Sequence, residues 1–364
     1  MSRFWNSRTR GLSPYVPGEQ PQQSAYIKLN TNENPYPPSP AALDAIKRAA
    51  DERLRLYPDP ACREFREAVA ERWRVKPEQV FAGNGSDEVL AFAFAAFFET
   101  EAGAAPRRIP PVLFPDITYS FYPVYARLWG IPCECPRVRD DFSIDHTDFL
   151  TPCGGVVFPN PNAPTGAALP REHVLAIARY HAEQNAVVIV DEAYAAFAAP
   201  RLSVIDRIAE HPNLLAVHTL SKSASLAGLR LGFAVGSEEL IEGLCRVRDS
   251  FNSYPVDRIA LAGGAAAVRD AAYYEETTRK IIATRDRVSA ALVEKGYTVT
   301  PSSANFLFIR HPALSGAEFF TRLREAGILT RHFNTGRIAD FIRVSIGSDA
   351  DMDAFLTACA KEMV

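Results

Sequence analysis

Lys222, Asp191 and Arg230 are charged residues set close to apolar runs, and their positions give this sequence a possible chemistry. Lys222 stands in His218-Thr219-Leu220-Ser221-Lys222-Ser223, after the apolar run Leu214–Val217 and before Gly228-Leu229-Arg230-Leu231-Gly232. An amine so placed, partly withdrawn from water, gives up its proton more readily and becomes a nucleophile. A lysine taken alone is a solvated surface group. Asp191 closes the apolar run Ala186–Val190, with Tyr194 three residues on. A carboxylate ending a buried strand needs a positive partner, although Asp191-Glu192-Ala193-Tyr194 could equally be a helix cap. Gly83-Asn84-Gly85-Ser86-Asp87-Glu88 follows the run Val80–Ala82, and its helix-start amides with the Ser86 hydroxyl make an anion cradle. The blander reading is a capped helix start, Ser86 capping and Asp87 and Glu88 favouring the dipole. A fourth run, Gly155–Phe158, leads into Pro159-Asn160-Pro161-Asn162-Ala163-Pro164-Thr165-Gly166, by itself a loop.

These four places matter because open α/β sheets bind ligands at the carboxyl ends of their strands. Strand-length apolar runs recur at Val112–Phe114 and Leu231–Val235 as well. They alternate with helical stretches at Ala41–Leu56, Cys62–Trp73, Ser86–Phe98, Tyr119–Trp129 and Pro170–Glu183. That alternation predicts a mostly parallel sheet covered on both faces. Past Pro255 the pattern changes to a helix over Tyr273–Lys295, strands at Tyr297–Thr300 and Asn305–Arg310, a helix at Ser315–Ala326, a strand at Phe341–Ser345 and a closing helix. The expected division is an extended arm over 1–40, a large α/β domain over 41–255 and a smaller α+β domain over 256–364.

Composition narrows the classes. The chain has 364 residues, 47% of them hydrophobic and 23% charged, a balance that excludes disorder as its main theme. Lys+Arg number 40 against 43 Asp+Glu, so no basic field invites nucleic acid or an anionic membrane. Six cysteines without a CxxC pair point to reduced thiols in a cytoplasmic protein, and the seven histidines form no HxxxH or HExxH pattern, so no metal is expected. The first residues lack an apolar signal region, and the run Val89–Phe98 is too short to span a bilayer.

Together, an acid at one strand end, a lysine and serine at another, an arginine soon after and an amide-rich helix start are the groups that pyridoxal phosphate requires. In this order and spacing the chain resembles the fold-type I aminotransferases, through Asp191-x-x-Tyr194, Ser221-Lys222 and Arg230. Four further blocks narrow the resemblance to the histidinol-phosphate aminotransferase family: Lys28-Leu29-Asn30-Thr31-Asn32-Glu33-Asn34-Pro35, Tyr57-Pro58-Asp59, the glycine turn at 83–88, and Thr118-Tyr119-Ser120. The match runs from about Pro14 to the C-terminus. It implies a large α/β/α domain with a mostly parallel central sheet, joined to the smaller C-terminal domain.

The resemblance also implies roles. Lys222 carries the pyridoxal phosphate and moves a proton between the substrate Cα and the cofactor. Asp191 pairs with the ring nitrogen, Tyr194 bonds the ring phenolate and Tyr119 stacks on the ring face. Gly85, Ser86 and Asp87 supply the phosphate cradle, completed by Ser221 and Arg230. The family shows an asparagine directly before Pro-Thr-Gly, where this chain has Ala163, so Asn162 is assigned in its place. Arg343 grips the α-carboxylate of glutamate and Arg331 the phosphate of the second substrate, with Tyr15 and Asn32 beside them. Tyr57 reaches the site of a neighbouring subunit, which implies a homodimer. The reaction so implied moves an amino group from glutamate to imidazole-acetol phosphate, giving histidinol phosphate and 2-oxoglutarate. Rivals are an aromatic aminotransferase or a threonine-phosphate decarboxylase on the same scaffold and, from another class, a silent ligand-binding protein.

Overall fold

A computed structural model describes residues 3–15, 18–20, 26–100, 109–198 and 202–361. The parts of the expected arm at 16–17 and 21–25 lie outside the described residues. What is described of the arm holds a short helix, α1 (Ser7–Gly11), and a two-residue strand, β1 (Ile27–Lys28).

The central sheet has seven strands: β2 (Val80–Gly83), β3 (Val112–Leu113), β4 (Cys133–Glu134), β5 (Gly155–Pro159), β6 (Val188–Asp191), β7 (Leu214–Thr219) and β8 (Gly232–Val235). Their order is β2-β8-β7-β6-β5-β3-β4. Neighbours from β7 to β4 are parallel, and β8 runs antiparallel to both of its neighbours. Side chains alternate between two apolar layers. Val156, Val188, Val190, Leu214 and Ala216 enter one layer, while Val157, Ile189, Leu215 and Val217 enter the other. Both faces are therefore apolar, which is why the strands read as continuous hydrophobic runs. The period-two rule puts Asp191 on the same face as Ile189.

Helices α2 (Pro40–Ala49), α3 (Arg63–Trp73), α4 (Gly85–Phe97), α5 (Tyr122–Trp129), α6 (Arg171–Ala182) and α7 (Glu238–Phe251) accompany this sheet. α2 begins where Ser39 accepts a hydrogen bond from the Ala42 amide and Pro40 presets the first turn. The expected helix Ala41–Leu56 breaks at Ala50, because the Asp51 carboxylate takes the Arg53 amide and starts a separate 3-10 turn, Glu52–Arg55. α5 starts at Tyr122, three residues later than expected, and stops at Gly130, whose positive φ of 71° lets its amide reach back to the last turn.

α8 (Arg258–Arg269) packs on α2 and α3, and its Ala260, Leu261 and Ala265 join the layer that holds Phe65 and Val80. Tyr274, in the long helix α9 (Ala271–Glu294), joins the same layer. Beyond it, β9 (Thr298–Val299), β10 (Phe306–Arg310), β12 (Arg331–His332) and β13 (Phe341–Ser345) form an antiparallel sheet, while β11 (Ile328–Leu329) pairs in parallel with β1. α9, α10 (Gly316–Glu325) and α11 (Asp349–Lys361) cover a core built on Phe306, Ile309, Phe319, Ile342 and Phe355.

Gly264 allows α8 to approach the sheet: a Cβ there would stand 2.2 Å from Leu231 Cδ2. Gly264→Ala should destabilise the protein by roughly 1–3 kcal/mol through overpacking. Urea denaturation checks this, and an unchanged midpoint would mean that α8 is not held against the strand.

Candidate active site

A cleft of about 410 Å³ lies at the carboxyl ends of β6 and β7 and reaches Arg331 and Arg343 on the C-terminal sheet. It brings together Tyr15, Asn32, Ser86, Asp87, Tyr119, Asp191, Tyr194, Ser221, Lys222 and Arg230, all anticipated from sequence.

Lys222 is at the centre. It follows β7 by three residues, and its Nζ donates to the Thr31 carbonyl at 3.1 Å. Burial, with the nearby Arg343 cation, pulls its amine from the usual 10.5 down to about 8. Asp191 is 4% exposed; burial pushes its carboxyl up to about 6. It accepts the Ala193 amide at 3.1 Å and the Tyr122 hydroxyl at 3.2 Å, so one protein side chain and one amide serve it. An ionised carboxylate has room for a further, cationic donor. The helix-cap alternative fails, because Asp191 lies within β6 and a 3-10 turn begins only after Tyr194.

The anion cradle forms where α4 starts. The helix opens at Gly85, with Asn84 and not Ser86 in the capping position, and Asn84 makes no side-chain cap bond. First-turn amides are therefore left without a side-chain cap, as an anion site requires. A Cβ on Gly232 would come within 2.4 Å of the Ser86 amide nitrogen, so β8 presses directly on the cradle. Arg230 donates to Asp87 at 3.0 Å and reaches Ser221 Oγ at 3.5 Å; Ser221 Oγ accepts in turn from Thr219 at 2.9 Å. The Asp87 carboxylate also takes the Tyr119 hydroxyl at 2.8 Å. Asp87 thus fixes the two groups flanking the cradle and has only its amide to offer an anion.

On the opposite wall, Tyr194 accepts from Asn32 Nδ2 at 2.9 Å, and Asn32 is held through its amide by Ser345 Oγ at 2.8 Å. Asn32 therefore places Tyr194, its side-chain amide being already committed. Arg343 Nη2 donates to the Asn30 carbonyl at 2.9 Å, while its Nε is buried without a partner. A buried guanidinium with an unused N–H suits a carboxylate. Arg331 sits opposite Arg343 in the β12–β13 register, and Tyr15 packs on Phe121 with ring centroids 4.3 Å apart.

Three anticipated residues do not line the cleft: Gly85, which opens α4 just behind Ser86, Asn162 and Tyr57. Asn162 is fully buried and donates to the Ile117 carbonyl at 3.0 Å and the Thr165 hydroxyl at 3.1 Å, so its amide is spent inside the loop while Ala163 faces the cleft. Tyr57 is 79% exposed and stacks on Tyr254 with centroids 4.6 Å apart. Several cleft residues were not anticipated, among them Thr31, Glu33 and Thr219. Nor was Tyr122, which lies outside the cleft lining and reaches Asp191 from the start of α5.

The residues fit pyridoxal phosphate: an amine poised near neutrality, a buried acid for a ring nitrogen, and amides with an arginine for a phosphate. Comparison with known proteins agrees. The family profile "Aminotransferase class I and II" matches residues 24–358. A histidinol-phosphate aminotransferase of Clostridium acetobutylicum is 52% identical over 356 residues, covering 98% of both chains. One from Bordetella parapertussis is 53% identical over 364 residues, covering 99% of both. Among solved structures, histidinol-phosphate aminotransferase from Sinorhizobium meliloti in complex with pyridoxal-5'-phosphate superposes with a TM-score of 0.88 at 25% identity, covering 100% of this chain and 98% of that one. Thermus thermophilus aspartate aminotransferase with maleate shares the fold, with a TM-score of 0.82 at 22% identity and all of both chains covered.

The lowered Lys222 amine has a direct check. In cofactor-free protein, reductive methylation of Lys222 followed by peptide mass spectrometry should show a rate half-maximal near pH 8, rising with pH as the neutral amine forms. A midpoint near that of exposed lysines, about 10.4, would contradict the burial. Gly232→Ala should loosen pyridoxal phosphate binding, measured by cofactor fluorescence, while leaving the far-UV circular dichroism unchanged.

Proposed function

The chain belongs to the class I and II aminotransferase family, and we propose that it transfers an amino group from glutamate to imidazole-acetol phosphate, giving histidinol phosphate and 2-oxoglutarate with pyridoxal phosphate as cofactor. The observation that carries the reading is one cleft holding Lys222, Asp191 and the half-used guanidinium of Arg343. Near-complete coverage at about half identity to named histidinol-phosphate aminotransferases supports the substrate.

Bound pyridoxal phosphate supplies an aldehyde carbon for the substrate amine and a protonated ring that draws electron density from the substrate Cα. Asp191 would keep the ring nitrogen protonated; burial raises its carboxyl to about 6 in the empty site, and a cationic ring nitrogen beside it favours the ionised form. Lys222 would hold the cofactor through Nζ, and once the substrate amine has displaced that bond the freed Nζ takes the proton from Cα; an amine of pKa about 8 does this near neutral pH, where one near 10.5 stays protonated. Tyr194, set by Asn32, bonds the ring phenolate, and Tyr119, anchored on Asp87, covers a ring face. With Ala163 on the cleft wall and Asn162 turned inward, Tyr194 carries that phenolate contact without the asparagine expected before Pro164-Thr165-Gly166. Amides of Gly85, Ser86 and Asp87, with Ser221 and Arg230, hold the cofactor phosphate.

Arg343 binds the α-carboxylate in a two-bond grip and Arg331 meets the remote anion of either substrate, so the same cations serve a dicarboxylate and a phosphate ester. The exposed Tyr57–Tyr254 pair fits delivery of Tyr57 to the site of a second copy in a homodimer. Among the described residues no helix is long and apolar enough to cross a membrane, and a cytoplasmic location accords with the thiols.

Purified protein should turn over histidinol phosphate with 2-oxoglutarate far faster than phenylalanine or threonine phosphate, followed by coupled glutamate release. No turnover of histidinol phosphate would refute the substrate. Arg343→Lys should lower kcat/KM for the amino donor roughly a hundredfold, about 2–3 kcal/mol for a charge-assisted bond. Cofactor absorbance of that variant should be unchanged, since lysine keeps the positive charge that Arg343 places near Lys222.

A further inference from the structure

Cys62, Cys153 and Cys359 are buried and Cys245 is half-buried, whereas Cys133 and Cys135 are exposed. These two lie at the open end of the central sheet, on and just beyond β4, the last strand in its order. The carbonyls of Pro132, Glu134 and Pro136 accept the amides of Val112, Phe114 and Asp116 at 2.9, 3.3 and 3.0 Å. Every second residue of this segment is thus bound to β3, and Cys133 and Cys135 are the residues between. Positions i and i+2 of an extended chain project from one face, so the two exposed thiols stand on the same side of the sheet edge. Arg127 of α5 lies close enough to favour a thiolate there.

The spacing decides what such a pair can do. Two residues of strand span about 6.6 Å, at the long edge of the Cα separations a disulfide bridges, and side chains that stand parallel on one face must lean together to close one. A bridging atom meets no such obstacle: two metal–sulfur bonds of about 2.3 Å in line separate the sulfurs by roughly 4.6 Å. Zinc requires four ligands, and among the described residues no group of three or more His, Cys, Asp or Glu could hold a metal. Soft thiolates without further ligands select monovalent copper.

We propose that Cys133 and Cys135 form a surface site that captures one soft, two-coordinate cation, monovalent copper, independently of the aminotransferase cleft. Each thiol gives up its proton, so one copper ion and two thiols yield a bis-thiolate complex and two protons, with no change of oxidation state.

The test uses the full chain loaded with pyridoxal phosphate, titrated anaerobically with monovalent copper against the chromophoric chelator bicinchoninate. The protein should withdraw one copper ion, and Cys133→Ser and Cys135→Ser should each weaken that withdrawal on the order of a hundredfold, while Cys245→Ser leaves it intact. Bound copper should protect two thiols from iodoacetamide, placed at 133 and 135 by peptide mapping. No withdrawal of copper, withdrawal by either serine variant as strong as that of the unaltered protein, or dependence on Cys245 would each overturn the proposal.

Discussion

The buried amine of Lys222 is the constraint around which the cleft is arranged. It has been taken out of water and given a backbone carbonyl, that of Thr31, as its hydrogen-bond acceptor; no carboxylate is bonded to it. Desolvation then does what a neutralising partner would have undone, and leaves the amine able to lose its proton near neutrality. The anions of the site are kept at one remove. Asp87 is tied to Tyr119 and Arg230, and Asp191 to Tyr122 and the Ala193 amide. Had either carboxylate closed on Lys222, an ion pair would have raised the amine and cost the site its nucleophile.

The same logic explains why the cations stay divided. Arg230 belongs to the cradle beside α4, while Arg331 and Arg343 stand on the C-terminal sheet. Arg343 repels both Arg331 and Lys222, and an anion bound beside it relieves that repulsion, whereas Arg230 is already paired with Asp87. Arg343 is also laid over the Phe306 and Phe333 rings, at 5.4 and 5.6 Å, which gives its charge an apolar seat before any carboxylate is present.

Much of the site was legible in the sequence because strand ends are legible. An apolar run followed by Asp191, or by Ser221-Lys222, marks where a buried strand meets the cleft, and Phe341–Ser345, which carries Arg343, is a strand with the bounds expected. What escaped notice was set by tertiary direction. β1, β4, β11 and β12 have two residues each, too few to show a period. Asn162 and Ala163 are neighbours, and only the path of the turn decides which one faces the cleft. Helix α8 has a helical pattern like any other; its allegiance to α2 and α3 rests on glycines whose missing side chains are visible only against the helices they admit.

The chain's beginning is sewn to its end. β1 lies along β11, and Asn32 bonds Ser345, 313 residues away, while also setting Tyr194. During synthesis the central sheet can gather as its strands emerge, but Arg343 and the strand that anchors Asn32 leave the ribosome long after Lys222. A nascent chain with Lys222 already exposed still lacks Arg331 and Arg343 on its pocket wall. The binding site is therefore assembled only once β13 has been made, and a chain stopped before Arg343 would keep its nucleophile and lose its grip on substrate.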